Sequence, residues 1–161
     1  MMAAEQRQLP STTAGIPVSI FSQQWIEERR IPQPGEVLIS ITEPGSPPVT
    51  PYRPYAAIYH LQDWDIPYTI EDHPQGPLIP LREQDAHALL QFLLREQAHM
   101  TALTLHCHAG ISRSPAVAIA LSEWMKTQPT TTVLIQQYPA FNRRLYRTLC
   151  HAALTAGLLR Q

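Results

Sequence analysis

Apolar positions along the chain fall into two patterns. Val18-Ser19-Ile20-Phe21, Glu36-Val37-Leu38-Ile39-Ser40-Ile41, Ala56-Ala57-Ile58-Tyr59-His60-Leu61 and Thr101-Ala102-Leu103-Thr104-Leu105-His106 are short runs, rich in apolar residues and mostly bounded by Pro, Gly or polar residues. Runs of that length and make-up predict strands. Elsewhere the spacing changes to that of helices. Ser22 can cap a helix over 23–30 that Pro32 stops, and Ala86, Leu89, Leu90, Leu93 and Leu94 form the buried stripe of a helix over 81–97. Further helices are expected over 113–126, 130–138 and 141–159, with Pro115 tolerated in the first turn of its helix. Five prolines between Pro44 and Pro54, and four between Ile66 and Pro80, make both stretches loops. The order of elements predicts an α/β fold, a sheet covered by helices.

Composition narrows this further. The chain has 161 residues, the size of one domain, and 44% of them are hydrophobic. The polar, small residues of 1–15 are expected to form a loose tail, with a single domain over 16–161. A net charge of -1 with no clustered Lys and Arg disfavours nucleic acid as a partner. No run approaches the ~20 apolar residues of a membrane span. Glu5 and Arg7 stand where a signal peptide would need an apolar stretch, and there are only two cysteines, Cys107 and Cys150. A reducing cytoplasm is therefore expected, one that keeps a reactive thiol usable.

The candidate chemistry lies in His106-Cys107-His108-Ala109-Gly110-Ile111-Ser112-Arg113-Ser114. A strand runs into this segment and a helix leaves it. The helix start offers unpaired N–H groups and the positive end of its dipole. Gly110 allows the preceding loop to curl more N–H groups, from His108 to Arg113, toward one point, which makes a cradle for a phosphate dianion. A cysteine in that field has its thiol pKa lowered from about 8.5 into the range ~3.5–7.5. Five residues separate Cys107 from Arg113, so the guanidinium can return over the anion and clamp it with parallel charge-assisted hydrogen bonds. Ser112 and Ser114 bring hydroxyls to the same place.

With His-Cys, five residues and Arg-Ser-Pro, this segment resembles the active-site loop of the protein tyrosine and dual-specificity phosphatase superfamily. The resemblance is strongest over 100–126. It extends more weakly to Ile41-Thr42-Glu43-Pro44-Gly45, to Asp63-Trp64-Asp65-Ile66 and to Asn142-Arg143-Arg144-Leu145, which are similar to small bacterial and phage members. It implies a single domain with a central, mostly parallel sheet of about four strands flanked by helices. It also implies a nucleophilic Cys107, a cysteinyl-phosphate intermediate, a phosphorylated protein or peptide substrate, and no metal or other cofactor. His106 is then a support for Cys107, and His108 lines the rim.

A general acid is needed for the leaving oxygen. In such enzymes it is an aspartate on a loop before the cysteine, and Asp63, Asp65, Glu71 and Asp72 all lie on the 62–80 stretch. Asp65 is preferred, then Asp72, then Asp63. In an extended segment His106 and His108 share one face and Cys107 takes the other, with no Cys-x2-Cys or His-x3-His beside them, so metal binding is not expected. His60, His73, His87, His99 and His151 are read as surface or packing residues. Cys150 is read as core, and Arg143, Arg144 and Arg147 as a solvated helix face. The alternative function is a module that binds phosphate or phosphoprotein without turning it over. A sulfurtransferase or an arsenate reductase is a further alternative.

Overall fold

The computed structural model describes residues 15–159. The four apolar runs become strands β1 (Ile16–Ser22), β2 (Glu36–Thr42), β3 (Ala57–Gln62) and β4 (Ala102–Cys107). A fifth, β5 (Thr127–Gln128), pairs with Ile16 and Pro17 of β1. The expected count of about four strands thus becomes five, because a two-residue strand leaves no period in a sequence. All pairings are parallel, in the order β3-β2-β4-β1-β5. The helices are α1 (Gln23–Glu28), α2 (Glu83–Glu96), α3 (Arg113–Ser122), α4 (Thr131–Gln137) and α5 (Arg143–Thr155). The chain is therefore α/β. Apart from Gly15, the tail expected over 1–15 lies outside the described residues. Among the described residues, no helix is long and apolar enough to cross a membrane.

Helix ends depart from the expected ones for identifiable reasons. Ser22 does cap α1, its Oγ accepting from the Trp25 N–H at 3.2 Å. α2 begins at Glu83 rather than Leu81 because Arg82 is an extended N-cap (ψ 164°), with its N–H accepted by Asp85 Oδ2 at 3.3 Å. α3 stops at Ser122, four residues early, as the chain tightens through Glu123→Ala120 and Trp124→Leu121 bonds and turns into β5. α5 starts at Arg143 because the Asn142 side chain accepts from the Leu145 N–H at 3.0 Å. It ends at Thr155, where Gly157 at φ +77° lets the Leu158 N–H turn back to Ala153 O.

The sheet is buried on both faces of its centre, which is why β2 and β4 read as continuous apolar runs. On one face Val37, Ile39, Leu103 and Leu105 pack with Leu89, Leu93, Ile119 and Leu149 into the main core. On the other, Leu38 packs with Ile26 and Val49, beneath α1 and the proline-rich 43–56 loop. Because every strand is parallel, the carboxyl ends of β1 to β4 share one rim. The loops leaving that rim carry the chemistry.

Candidate active site

β1 and β4 run side by side with Ser22 opposite Cys107, so the loop after Cys107 is laid against the end of β1. The His108 carbonyl accepts from the Gln23 N–H at 3.1 Å. Gly110 adopts φ +76°, and a Cβ there would lie 3.1 Å from Phe21 O. Both the conformation and the contact require glycine, and they curl the loop into the start of α3.

Cys107 lies at the base of a cleft of about 490 Å³ lined also by Glu43, Asp65, His108, Ala109, Ile111, Ser112 and Arg113. The residues expected to form the phosphate loop are thus together, with Gly110 buried behind it. Burial pushes the Cys107 thiol up. The Ser114 hydroxyl at 3.1 Å, the backbone N–H groups of Ser114 and Gly110, and the Arg113 charge outweigh it, leaving the thiol below its ordinary range. Cys107 in the folded protein therefore ionises at a lower pH than a free thiol, and alkylation by iodoacetamide should rise through that lower pH. In Ser114→Ala the midpoint of that rise should move to higher pH; an unmoved midpoint would remove Ser114 from the account.

His106 is buried and supports Cys107 from the opposite face of β4. Its Nδ1 lies 3.1 Å from Cys107 O and its Nε2 2.7 Å from Ser40 Oγ. A carbonyl only accepts, so Nδ1 carries the proton. Burial, with smaller effects from Arg113 and His60, holds the imidazole below its ordinary pKa, hence neutral. Nε2 then accepts from the Ser40 hydroxyl. Such a ring is a fixed strut rather than a base.

Arg113 is only 4% exposed, yet it lines the cleft. Its Nη1 donates to Asp63 O at 2.9 Å and pairs with Glu43 Oε2 at 2.9 Å. Its Nε–H is buried and has no hydrogen-bond partner among the protein atoms. A buried donor without a partner costs about 1–3 kcal/mol, so this arginine is held in place at a cost to stability.

The three aspartates separate clearly. Asp65 lines the cleft, and its Oδ1 accepts from Ser112 Oγ at 2.7 Å and from Asn142 Nδ2 at 2.8 Å. Both donors reach Oδ1, leaving Oδ2 without a hydrogen-bond partner among the described residues. Asp63 is fully buried outside the cleft, with Oδ2 2.8 Å from Arg144 Nη2 and Oδ1 on the Leu81 N–H. Burial pushes its carboxyl up, and Arg144 and Leu81 oppose that. Asp63 is thus a loop anchor. Asp72 and Glu71 are exposed and do not line the cleft.

Arg144 corrects the expectation of a solvated arginine face. Its side chain is 12% exposed and donates to Asp63 Oδ2, Trp64 O and Ile66 O, fixing the loop that carries Asp65. Arg143 and Arg147 are exposed as expected. Cys150 is partly buried against the main core and, like Cys107, is a free thiol.

Neither a family model nor a curated protein matches this sequence. What the site can do is therefore read from its own geometry. Four contributors were not singled out in the sequence: Ser40, Glu43, Asn142 and, as a loop anchor, Arg144. Two left a signal. Ser40 is a polar residue inside an apolar strand, and Glu43 follows the carboxyl end of β2 as Asp63 follows that of β3.

Proposed function

We propose that this chain is a cysteine-dependent phosphatase for phosphate monoesters, working on phosphotyrosine and also phosphoserine or phosphothreonine in proteins or peptides. The kind of enzyme is the tyrosine and dual-specificity phosphatase that the Cys107 segment resembles. A reducing cytoplasm suits its free thiols. The observation that carries the proposal is one cleft that brings together a thiol inclined to ionise, a buried arginine and a carboxyl fixed by one oxygen.

In the first step the Cys107 sulfur forms a bond to phosphorus as the ester P–O bond breaks. Asp65 gives its proton to the departing oxygen. The loop N–H groups and Arg113 stabilise the charge on the transferring phosphoryl group. In the second step water attacks phosphorus, its proton passes to the Asp65 carboxylate, and the S–P bond breaks to release phosphate and restore the thiolate. A module that only binds phosphate would use Asp65 solely as the link between Ser112 and Asn142.

Leaving-group dependence tests the assignment of the acid. Asp65→Asn should slow hydrolysis of an alkyl phosphate by ~10²-fold or more, since positioned acids contribute that much. In kcat/KM, which reports the first step and not the shared second one, the same change should matter far less for p-nitrophenyl phosphate, whose leaving group departs without a proton. Asp72→Asn should change neither. Equal losses on both substrates for Asp65→Asn would remove Asp65 as the acid.

A further inference from the structure

A groove of about 570 Å³ runs along β3, the edge strand of the sheet. One wall is the strand from Tyr59 to Gln62, and the other includes Ile79, Pro80 and Arg82. The groove is next to the Cys107 cleft along two segments. Pro44 lines the groove and Glu43 the cleft, while Gln62 lines the groove and Asp63 O holds Arg113.

The backbone of β3 is half used. The Asp63 N–H donates to Thr42 O at 3.0 Å, so Asp63 faces β2. Successive residues of a strand alternate, so Gln62 and His60 turn their N–H and C=O groups away from β2. Among the described residues no strand pairs with that side, and no loop backbone hydrogen-bonds to it. Ile79, 52% exposed, and Pro80 provide an apolar wall. Arg82 and Asp85, 3.9 Å apart, balance each other at the rim, so the groove does not favour a second anion.

Resting on the phosphatase reading, we propose that this groove binds the polypeptide flanking the phosphorylated residue as an added strand on β3. An extended peptide is the ligand whose N–H and C=O groups repeat at the spacing of a free strand edge. It would run past Pro44 and present its phosphoryl group to Cys107. Sugars, lipids and nucleotides lack that repeat.

The test compares phosphotyrosine amide with a phosphotyrosine peptide carrying several flanking residues. Two or so added backbone hydrogen bonds should raise kcat/KM of the peptide about tenfold over the amide. N-methylation of alternate flanking amides should return it to the amide's value, whereas methylation of the others should not. Ile79→Glu, on the opposite wall, should lower the peptide value about tenfold and leave the amide unchanged. Equal kcat/KM for peptide and amide, indifference to N-methylation, or an unchanged peptide value in Ile79→Glu would overturn the groove proposal alone. Turnover of neither substrate would overturn the phosphatase reading and the groove with it.

Discussion

Cys107→Ser should lower phosphate release by ~10⁴-fold or more, the scale of removing a nucleophile that acts as one unit with its partners. The cradle is built for a thiol. The Ser114 hydroxyl, two backbone N–H groups and the Arg113 charge together bring the Cys107 thiol below its ordinary pKa despite burial. A serine hydroxyl starts many units higher, and the same contacts leave it protonated. Those contacts persist in the variant, and Arg113 is untouched. On the phosphatase reading inorganic phosphate should therefore bind Cys107→Ser about as well as the parent protein in a calorimetric titration, since the groups proposed to hold the oxyanion, the loop N–H groups and the guanidinium, are unchanged. Retained turnover would mean that the sulfur is not the nucleophile. Lost phosphate binding would mean that the substitution has collapsed the loop.

Arg113→Lys should cost ~10³-fold in kcat/KM although the charge is kept, because a lysine is a point charge without the planar fork. The arginine is held from two sides. Asp63 O and Glu43 Oε2 both take Nη1, while Nε–H is free of protein partners. A lysine ammonium can satisfy Glu43 or the phosphoryl oxygens, but it cannot span both. On the phosphatase reading the loss should appear in kcat and in phosphate affinity together, since the guanidinium is the proposed clamp for both the bound anion and the transition state. A circular dichroism spectrum unchanged from the parent would show that the buried position still folds. Near-parental kcat/KM in Arg113→Lys would show that charge alone suffices and that the fork geometry is irrelevant.

The β4-to-α3 unit was legible because its whole device is contiguous: a strand, a loop with one obligatory glycine, and a helix start, with Cys107 and Arg113 at its two ends. The apolar runs of β2 and β4 were legible for a related reason. Burial on both faces removes polar alternation and leaves an unbroken signal. The rest of the site is assembled across the sheet, and its residues leave only weak local marks. Glu43 reaches Arg113 from the end of β2, and Ser40 reaches His106 through strand pairing. Asn142 and Arg144 hold the 63–66 loop from far along the chain. The choice between Asp65, Asp72 and Asp63 turned on the same long-range contacts. Asp63 is drawn inward by Arg144 and Leu81, and Asp65, two residues on, is left facing the cleft. Helix ends differ from the expected ones where caps and tightened turns decide them, as at Arg82, Asn142 and Ser122.

A phosphoryl group covalently held on Cys107 is the central claim in its most direct form. An aryl phosphate mixed with the protein, quenched in acid within one turnover, digested and weighed by mass spectrometry would reveal it. The account predicts that the peptide containing Cys107 gains the mass of one phosphoryl group, that the adduct is absent in Cys107→Ser, and that it decays as free phosphate appears. Phosphate release without any adduct on Cys107, or with the adduct on another residue, would contradict it.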